Sequence, residues 1–242
     1  MWDAVAGLLA VDHRVLRVDL PGHGQSEKRP ASCAVEDNAR AVAVVLDHLQ
    51  IARTHVAAHS AGGDVLVAML TADASRVASG TFLGTAPDLS FVRMGFAAKV
   101  MRLPIIGRVL WALAGENAIR DGLRATFAPG TTSIPDEYVT LLRMMTYDAY
   151  ANGIAELETF KNRLDLCSRV AGVGVPLLVV FGDADQWVSP RAAARWGERT
   201  DARVEYLDGV GHTPMAEAPA PTAALIREMV HGSASRGGTG HR

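Results

Sequence analysis

The chain has 242 residues, 49% of them hydrophobic, enough for one sizeable domain with a buried core. Its 26 acidic and 24 basic residues leave a net charge of -2, so no sequence-wide field draws it to nucleic acid or to an anionic membrane. Two separated cysteines, Cys33 and Cys167, exclude a disulfide framework and lack the paired spacing of a zinc site, and no run approaches the roughly 18 apolar residues of a membrane helix. The expected setting is the reducing cytoplasm, with no stable membrane insertion, and the expected partner is a small molecule.

Residues 2–10, WDAVAGLLA, place Trp2, Val5, Leu8 and Leu9 at helical spacing, and residues 14–20, RVLRVDL, read as a short strand. The glycines and prolines of PGHGQSEKRP then mark a loop at a strand's C-terminal end, where ligands of α/β proteins bind. Gly22 and Gly24 match the first two glycines of a dinucleotide fingerprint, but Glu27 holds the third position and no helix opens there, so no cofactor site is expected. Residues 32–50 form an amphipathic pattern, with Ser32 as the expected N-cap and Val35, Ala39, Val42, Leu46 and Leu49 on one face. An apolar run from 54 leads into Ser60 and a helix beyond it, and residues 79–84 supply a buried strand. From Pro87 to Ser168 the strand signals stop and helical runs broken by glycine and proline take over, the pattern of a helical insertion. The sheet pattern resumes in VPLLVVF at 175–181. A helix at 191–199, a strand at 203–207 and a helix at 221–230 opening on Pro221 follow. The tail from 231, carrying His231 and His241, is too polar and glycine-rich to pack. Strands alternating with helices predict a mostly parallel sheet covered on both faces.

Ser60 stands where strand gives way to helix, with small residues two before and two after it, Ala58 and Gly62. Such a serine is either a nucleophile lifted out on a tight turn beside a helix N-terminus or a helix cap. Two aspartates, Asp183 and Asp185, lie on the turn after the 175–181 strand, and His212 lies between Gly211 and Thr213 after the last strand. A glycine-flanked loop gives an imidazole little reason to be there for packing.

The order Ser, Asp, His on turns after strands, carried by DLPGHGQS at 19–26, AHSAGG at 58–63, GDADQWVSP at 182–190 and GVGHTPMAEAP at 209–219, resembles the α/β-hydrolase family. The resemblance implies a discontinuous core of residues 1–86 and 169–230 and a helical cap over 87–168, with the polar tail at 231–242 expected to be disordered from its composition. It implies Ser60 as nucleophile, His212 as general base and Asp185 as the acid that orients it, with Asp183 and Asp88 as alternatives, and the backbone N-H of Ala61 as an oxyanion donor. No predicted helix carries a His/carboxylate pair at H-x-x-x-H or E-x-x-H spacing, so neither metal nor cofactor is expected.

His23 and His59 occupy motif positions that shape a site or serve structure, and Trp187 follows the candidate acid. Trp111, Phe127, Met144, Met145 and Tyr147 either line an apolar pocket beneath the cap or form the cap's own core. Residues 91–130 hold Arg93, Lys99, Arg102, Arg108, Arg120 and Arg124 against Glu116 and Asp121, a solvated face or a contact for an anionic substrate or membrane surface. The expected reaction is hydrolysis of an ester or related acyl bond of a small, largely apolar substrate through an acyl-enzyme. Acyl transfer, perhydrolysis and carbon-carbon cleavage are alternatives with the same triad, and a catalytically impaired protein that keeps only the fold is another. Against full members of the family, the opening helix is expected to lack the preceding strand and its His-Gly-type oxyanion loop, which leaves a gap or a rearranged pairing beside residues 14–20.

Overall fold

The computed structural model describes residues 1–28, 32–93 and 95–237, so expectations for Met94, His241 and the last five residues lie outside it. In chain order the main elements are α1 (Asp3–Leu9), α2 (Val35–His48), β1 (Thr54–His59), α3 (Ala61–Asp73) and β2 (Val77–Leu83). Helices α4 (Phe96–Met101), α5 (Pro104–Leu113), α6 (Glu116–Arg124), α7 (Asp136–Met144), α8 (Tyr147–Arg163) and α9 (Leu166–Val170) follow. The chain closes with β3 (Leu177–Gly182), α10 (Arg191–Arg199), β4 (Arg203–Leu207), α11 (Pro214–Glu217) and α12 (Pro219–Gly237).

The four strands form one parallel sheet in the order β1-β2-β3-β4. The unbroken apolar run of β3 follows from burial on both sides, because successive side chains of a strand point to opposite faces. Val179 and Phe181 pack with α2, α3 and α10 in the main core, whereas Leu178 and Val180 join Leu83 under Leu225 and Met229 of α12. Trp196 of α10 stacks on Phe82, with ring centroids 4.7 Å apart, and its indole N-H donates to the Thr85 carbonyl at 2.9 Å. A fully buried tryptophan thus keeps its polar edge satisfied.

Three local expectations need correction. Residues 14–20 form no strand and pair with none among the described residues, so β1 is an edge of the sheet. A strand needs a ladder partner, and without one Val15, Leu16 and Val18 stand in solvent. Ser32 does not cap α2: it lies two residues too early, its Oγ accepts the Ala34 N-H at 3.1 Å, and Ala34 is the capping residue, with no side-chain bond. The last helix starts at Pro219 rather than Pro221 and runs through Gly237, well past residue 231, with the His231 ring stacked on His13.

Helix α3 is anchored to the inserted helices by a buried ion pair. Asp64 is completely buried and accepts from Lys161 Nζ on α8 at 2.6 and 2.7 Å. Burial pushes the Asp64 carboxyl up while the ammonium pulls it back. Lys161→Met removes the partner and leaves a buried carboxylate, so it should cost about 3–5 kcal/mol in urea unfolding. A Asp64→Leu/Lys161→Met pair should recover most of that loss, and a single substitution costing under about 1 kcal/mol would show that water already reaches the carboxylate.

Candidate active site

The register of the sheet brings the candidate residues together. His59 pairs with Leu83, Leu83 with Val180, and Gly182 with Leu207, so β1 to β4 end along one edge and the turns after them share it. Ser60 begins the turn after β1, Asp185 lies in the turn after β3, and His212 lies in the loop after β4.

Ser60 has φ 50° and ψ -120°, a conformation that an L residue adopts only when its surroundings enforce it. Its N-H donates to the Leu83 carbonyl at 2.9 Å, and its own carbonyl accepts from Gly63 N at 2.9 Å and Thr85 Oγ1 at 3.1 Å. These bonds lash the turn to the end of β2. Space is tightest at Gly63, where a side chain would run into Thr85. A Cβ on Gly62 would lie an ordinary 3.8 Å from Ala58 Cβ, so Gly63 is the closest-packed of the glycines here.

His212, 3% exposed, has Nδ1 2.8 Å from Asp185 Oδ2 and Nε2 3.0 Å from Ser60 Oγ. A carboxylate only accepts, so Nδ1 carries the proton and donates to Asp185, which leaves Nε2 to accept the Ser60 hydroxyl. Asp185 Oδ1 also accepts the N-H groups of Trp187 at 2.7 Å and Val188 at 2.8 Å, which fixes the carboxylate. The two alternative acids bind elsewhere: Asp183 Oδ1 accepts Gly209 N-H at 2.7 Å, and Asp88 Oδ1 accepts Ser90 N-H at 2.8 Å. Ala61 is the first residue of α3, so its N-H is among those with no acceptor inside the helix.

Two supports for His212 were not evident in the sequence. His59 Nε2 donates to the His212 carbonyl at 2.7 Å, and the two rings lie 4.8 Å apart, so this histidine holds the loop of the other. Glu217 accepts from Gly211 N at 3.1 Å, Thr213 N at 3.2 Å and Thr213 Oγ1 at 2.8 Å, and also from Ala128 N of the inserted segment at 2.7 Å. It clamps both neighbours of His212. Its position four residues after Thr213, facing the loop across α11, was the available signal.

The remaining candidates spread out. His23 is half-buried with Nδ1 donating to the Pro21 carbonyl at 3.1 Å, inside its own loop. Phe127 packs edge-on against Tyr138, Trp111 lies over Tyr150 at 4.9 Å, and Tyr147 OH donates to the Met101 carbonyl at 3.1 Å. These rings take part in the inserted helices' own packing. Met144 and Met145 are half-buried where α7 meets α8. A hollow of about 830 Å³ opens beside Asp121, Arg124, Pro129 and Gln186, but Ser60 does not line it. Away from the strand ends, Asp12, His13 and His231 bring possible ligand atoms within 4.8 Å of one another, with Arg227 paired to Asp12.

A parallel sheet whose C-terminal edge carries a strained serine on a strand-to-helix turn, a buried histidine and a carboxylate defines the α/β-hydrolase architecture. The chain belongs to the alpha/beta hydrolase family, whose model it matches over residues 1–225. It is 30% identical over 215 residues to the dihydrolipoyllysine-residue acetyltransferase component of the acetoin cleaving system of Pseudomonas putida, which covers 87% of this chain. The chain spans about half of that protein's length, 54%. It is 28% identical over 225 residues to 2-hydroxy-6-oxononadienedioate/2-hydroxy-6-oxononatrienedioate hydrolase 1 of Dechloromonas aromatica, covering 86% of this chain and 73% of that one. Similar solved structures include a thermophilic esterase from Thermogutta terrifontis, with TM-score 0.76, 21% identity and coverage of 96% of this chain and 85% of that one. A meta-cleavage product hydrolase from Pseudomonas fluorescens matches with TM-score 0.73 and 18% identity, over 96% and 85% of the two chains. At these identities the two structures speak for the fold.

Desolvation pushes His59 down to about 3, and the nearby His212 adds to the effect. Its folded value lies below its ordinary 6.5, so the unfolded chain binds more protons between those values and acid weakens folding there. Unfolding free energy should therefore fall by up to about 1.4 kcal/mol per pH unit on this account as pH drops from 6.5 toward 3. His59→Asn should flatten that part of the curve, and an unchanged slope in the variant would assign the acid sensitivity to other groups.

Proposed function

We propose that the protein is a serine hydrolase that cleaves an ester or related acyl bond of a small, largely apolar substrate through an acyl-enzyme on Ser60. The observation that carries this reading is the chain of two hydrogen bonds, 2.8 Å and 3.0 Å, running from Asp185 through His212 to the Ser60 hydroxyl. Neutral His212 Nε2 takes the hydroxyl proton as Oγ bonds to the acyl carbon, and the carbonyl oxygen gains negative charge that the Ala61 N-H and the α3 N-terminus stabilise. The imidazolium then protonates the leaving oxygen as its bond to the acyl carbon breaks. Water, deprotonated by the same nitrogen, attacks the acyl-enzyme, releases the acid and returns the proton to Ser60. Asp185 stabilises the imidazolium without itself being protonated. The inserted helices act as a cap, tied to the His212 loop through Glu217.

The acceptor need not be water. The Pseudomonas putida relative is named as an acetyltransferase component and the Dechloromonas aromatica relative as a 2-hydroxy-6-oxononadienedioate/2-hydroxy-6-oxononatrienedioate hydrolase, so acyl transfer or carbon-carbon cleavage by the same residues is the second reading.

A fluorophosphonate probe should label the folded protein at Ser60, and Ser60→Ala should abolish labelling with no change in thermal unfolding. Against an activated ester, Ser60→Ala should lower kcat by about 10⁶-fold. Asp185→Asn should lower it by about 10⁴-fold. Asp183→Asn should leave it within about threefold, since that carboxylate only bonds a turn. Absence of labelling in folded protein would leave the fold without the chemistry.

A further inference from the structure

Helix α5 presents its apolar side to water. Ile105, Ile106, Val109, Leu110 and Leu113 are exposed by 81, 49, 51, 43 and 77%. At about 100° per residue these five positions fall on one face roughly 140° wide. The opposite side, Gly107 and Trp111, faces the protein: Trp111 stacks toward Tyr147 and Tyr150 of α8, and a side chain at Gly107 would collide with the Met101 carbonyl and the Tyr147 hydroxyl. Leu103 and Phe96, 48 and 83% exposed, extend the patch toward α4. Apolar side chains scattered singly on a surface need no explanation, but a contiguous strip marks an interaction site.

The charges around the strip decide what it meets. Between Arg93 and Leu113 the sequence holds Arg93, Lys99, Arg102 and Arg108 and not one acidic residue. Arg102 and Arg108 are held in place by Glu158 and Asp148 of α8, and the Arg108 guanidinium also lies over the Tyr147 ring at 5.2 Å. Arg108 lies off the strip, toward the buried side of the helix, and Lys99 is exposed on the adjoining α4.

We propose that the α4–α5 face docks on an anionic lipid bilayer, with α5 lying in the plane of the headgroups. A ten-residue helix is about 15 Å long, too short to cross a bilayer but suited to seating its apolar face in the headgroup and acyl boundary. Cations around the strip then meet anionic headgroups. A second copy of the chain is the competing occupant of this face, and the sedimentation arm of the test below separates it from the bilayer.

The test uses the full chain and vesicles, and is independent of any catalytic reading. Cosedimentation with phosphatidylcholine vesicles containing phosphatidylserine should pull the protein down, with binding that weakens as salt is raised, and phosphatidylcholine alone should retain little. Ile105→Ser/Val109→Ser/Leu113→Ser, all at exposed positions, should unfold at the same temperature and bind about tenfold or more weakly, because three apolar side chains no longer enter the boundary. Lys99→Glu should weaken binding to the anionic vesicles and make what remains less sensitive to salt. The proposal is overturned by no binding to anionic vesicles at low salt, by equal binding to both vesicle types, by wild-type binding in the triple variant, or by a dimer in sedimentation velocity that the triple substitution dissociates.

Discussion

The structure turns on the backbone of Ser60. A residue with a side chain at φ 50° and ψ -120° stores on the order of 1–3 kcal/mol, which only its surroundings can offset. Every nearby interaction acts on that turn. The Ser60 N-H is bonded to the end of β2, its carbonyl is gripped by Gly63 and Thr85, and α3 behind it is pinned through Asp64 to Lys161. Gly63 is small because Thr85 fills its space, and Thr85 in turn gives its carbonyl to Trp196. The strain at one residue therefore reaches the main core through two buried contacts.

The histidine is positioned by a different kind of support. His212 sits in a loop, and a loop fixes a side chain only if its backbone is held from several sides. Here His59 holds the carbonyl of His212 itself, Glu217 holds the N-H groups of both neighbours, and Gly84, at φ 58°, leaves room for the imidazole where a Cβ would come within 3.0 Å of Nδ1. Burial keeps His59 neutral, so it donates from Nε2 without placing a second positive charge beside an imidazolium on His212.

Much of this was legible in the sequence, because β3 and the Ser60, Asp185 and His212 turns combine strong local signals. A fully buried parallel strand must be apolar throughout, and a turn that carries a side chain above the sheet edge must have small or glycine neighbours. Elsewhere local pattern was insufficient. RVLRVDL has the composition of a strand, but strand formation depends on a partner that local sequence does not specify. Ser32 precedes a helix, yet a cap acts only at the residue where the backbone turns, and Ala34 occupies that place. His59 and Glu217 lay inside recognised motifs, but their bonds span 153 residues in one case and reach Ala128, 89 residues away, in the other. The composition of PIIGRVLWAL does not reveal which side of that helix faces the protein.

That helix also shows how the inserted segment combines two demands. Its inner side is built of rings and small residues, Trp111 with Tyr147 and Tyr150, and Gly107 close enough to α4 that only hydrogen fits. At the other end of the same segment, Ala128 hands its N-H to Glu217, the residue that grips the loop of His212. A displacement of the inserted helices as a body must therefore either carry the Glu217 clamp along or break its bond to Ala128. Breaking that bond would leave the carboxylate's remaining partners, Gly211 and Thr213, both on the His212 loop. The loop would keep its internal bracing and lose its tether. Because Gly211 also lies so close to Phe127 and Ala128 that a side chain would collide with their backbone, the inserted segment cannot move inward there without displacing the histidine loop.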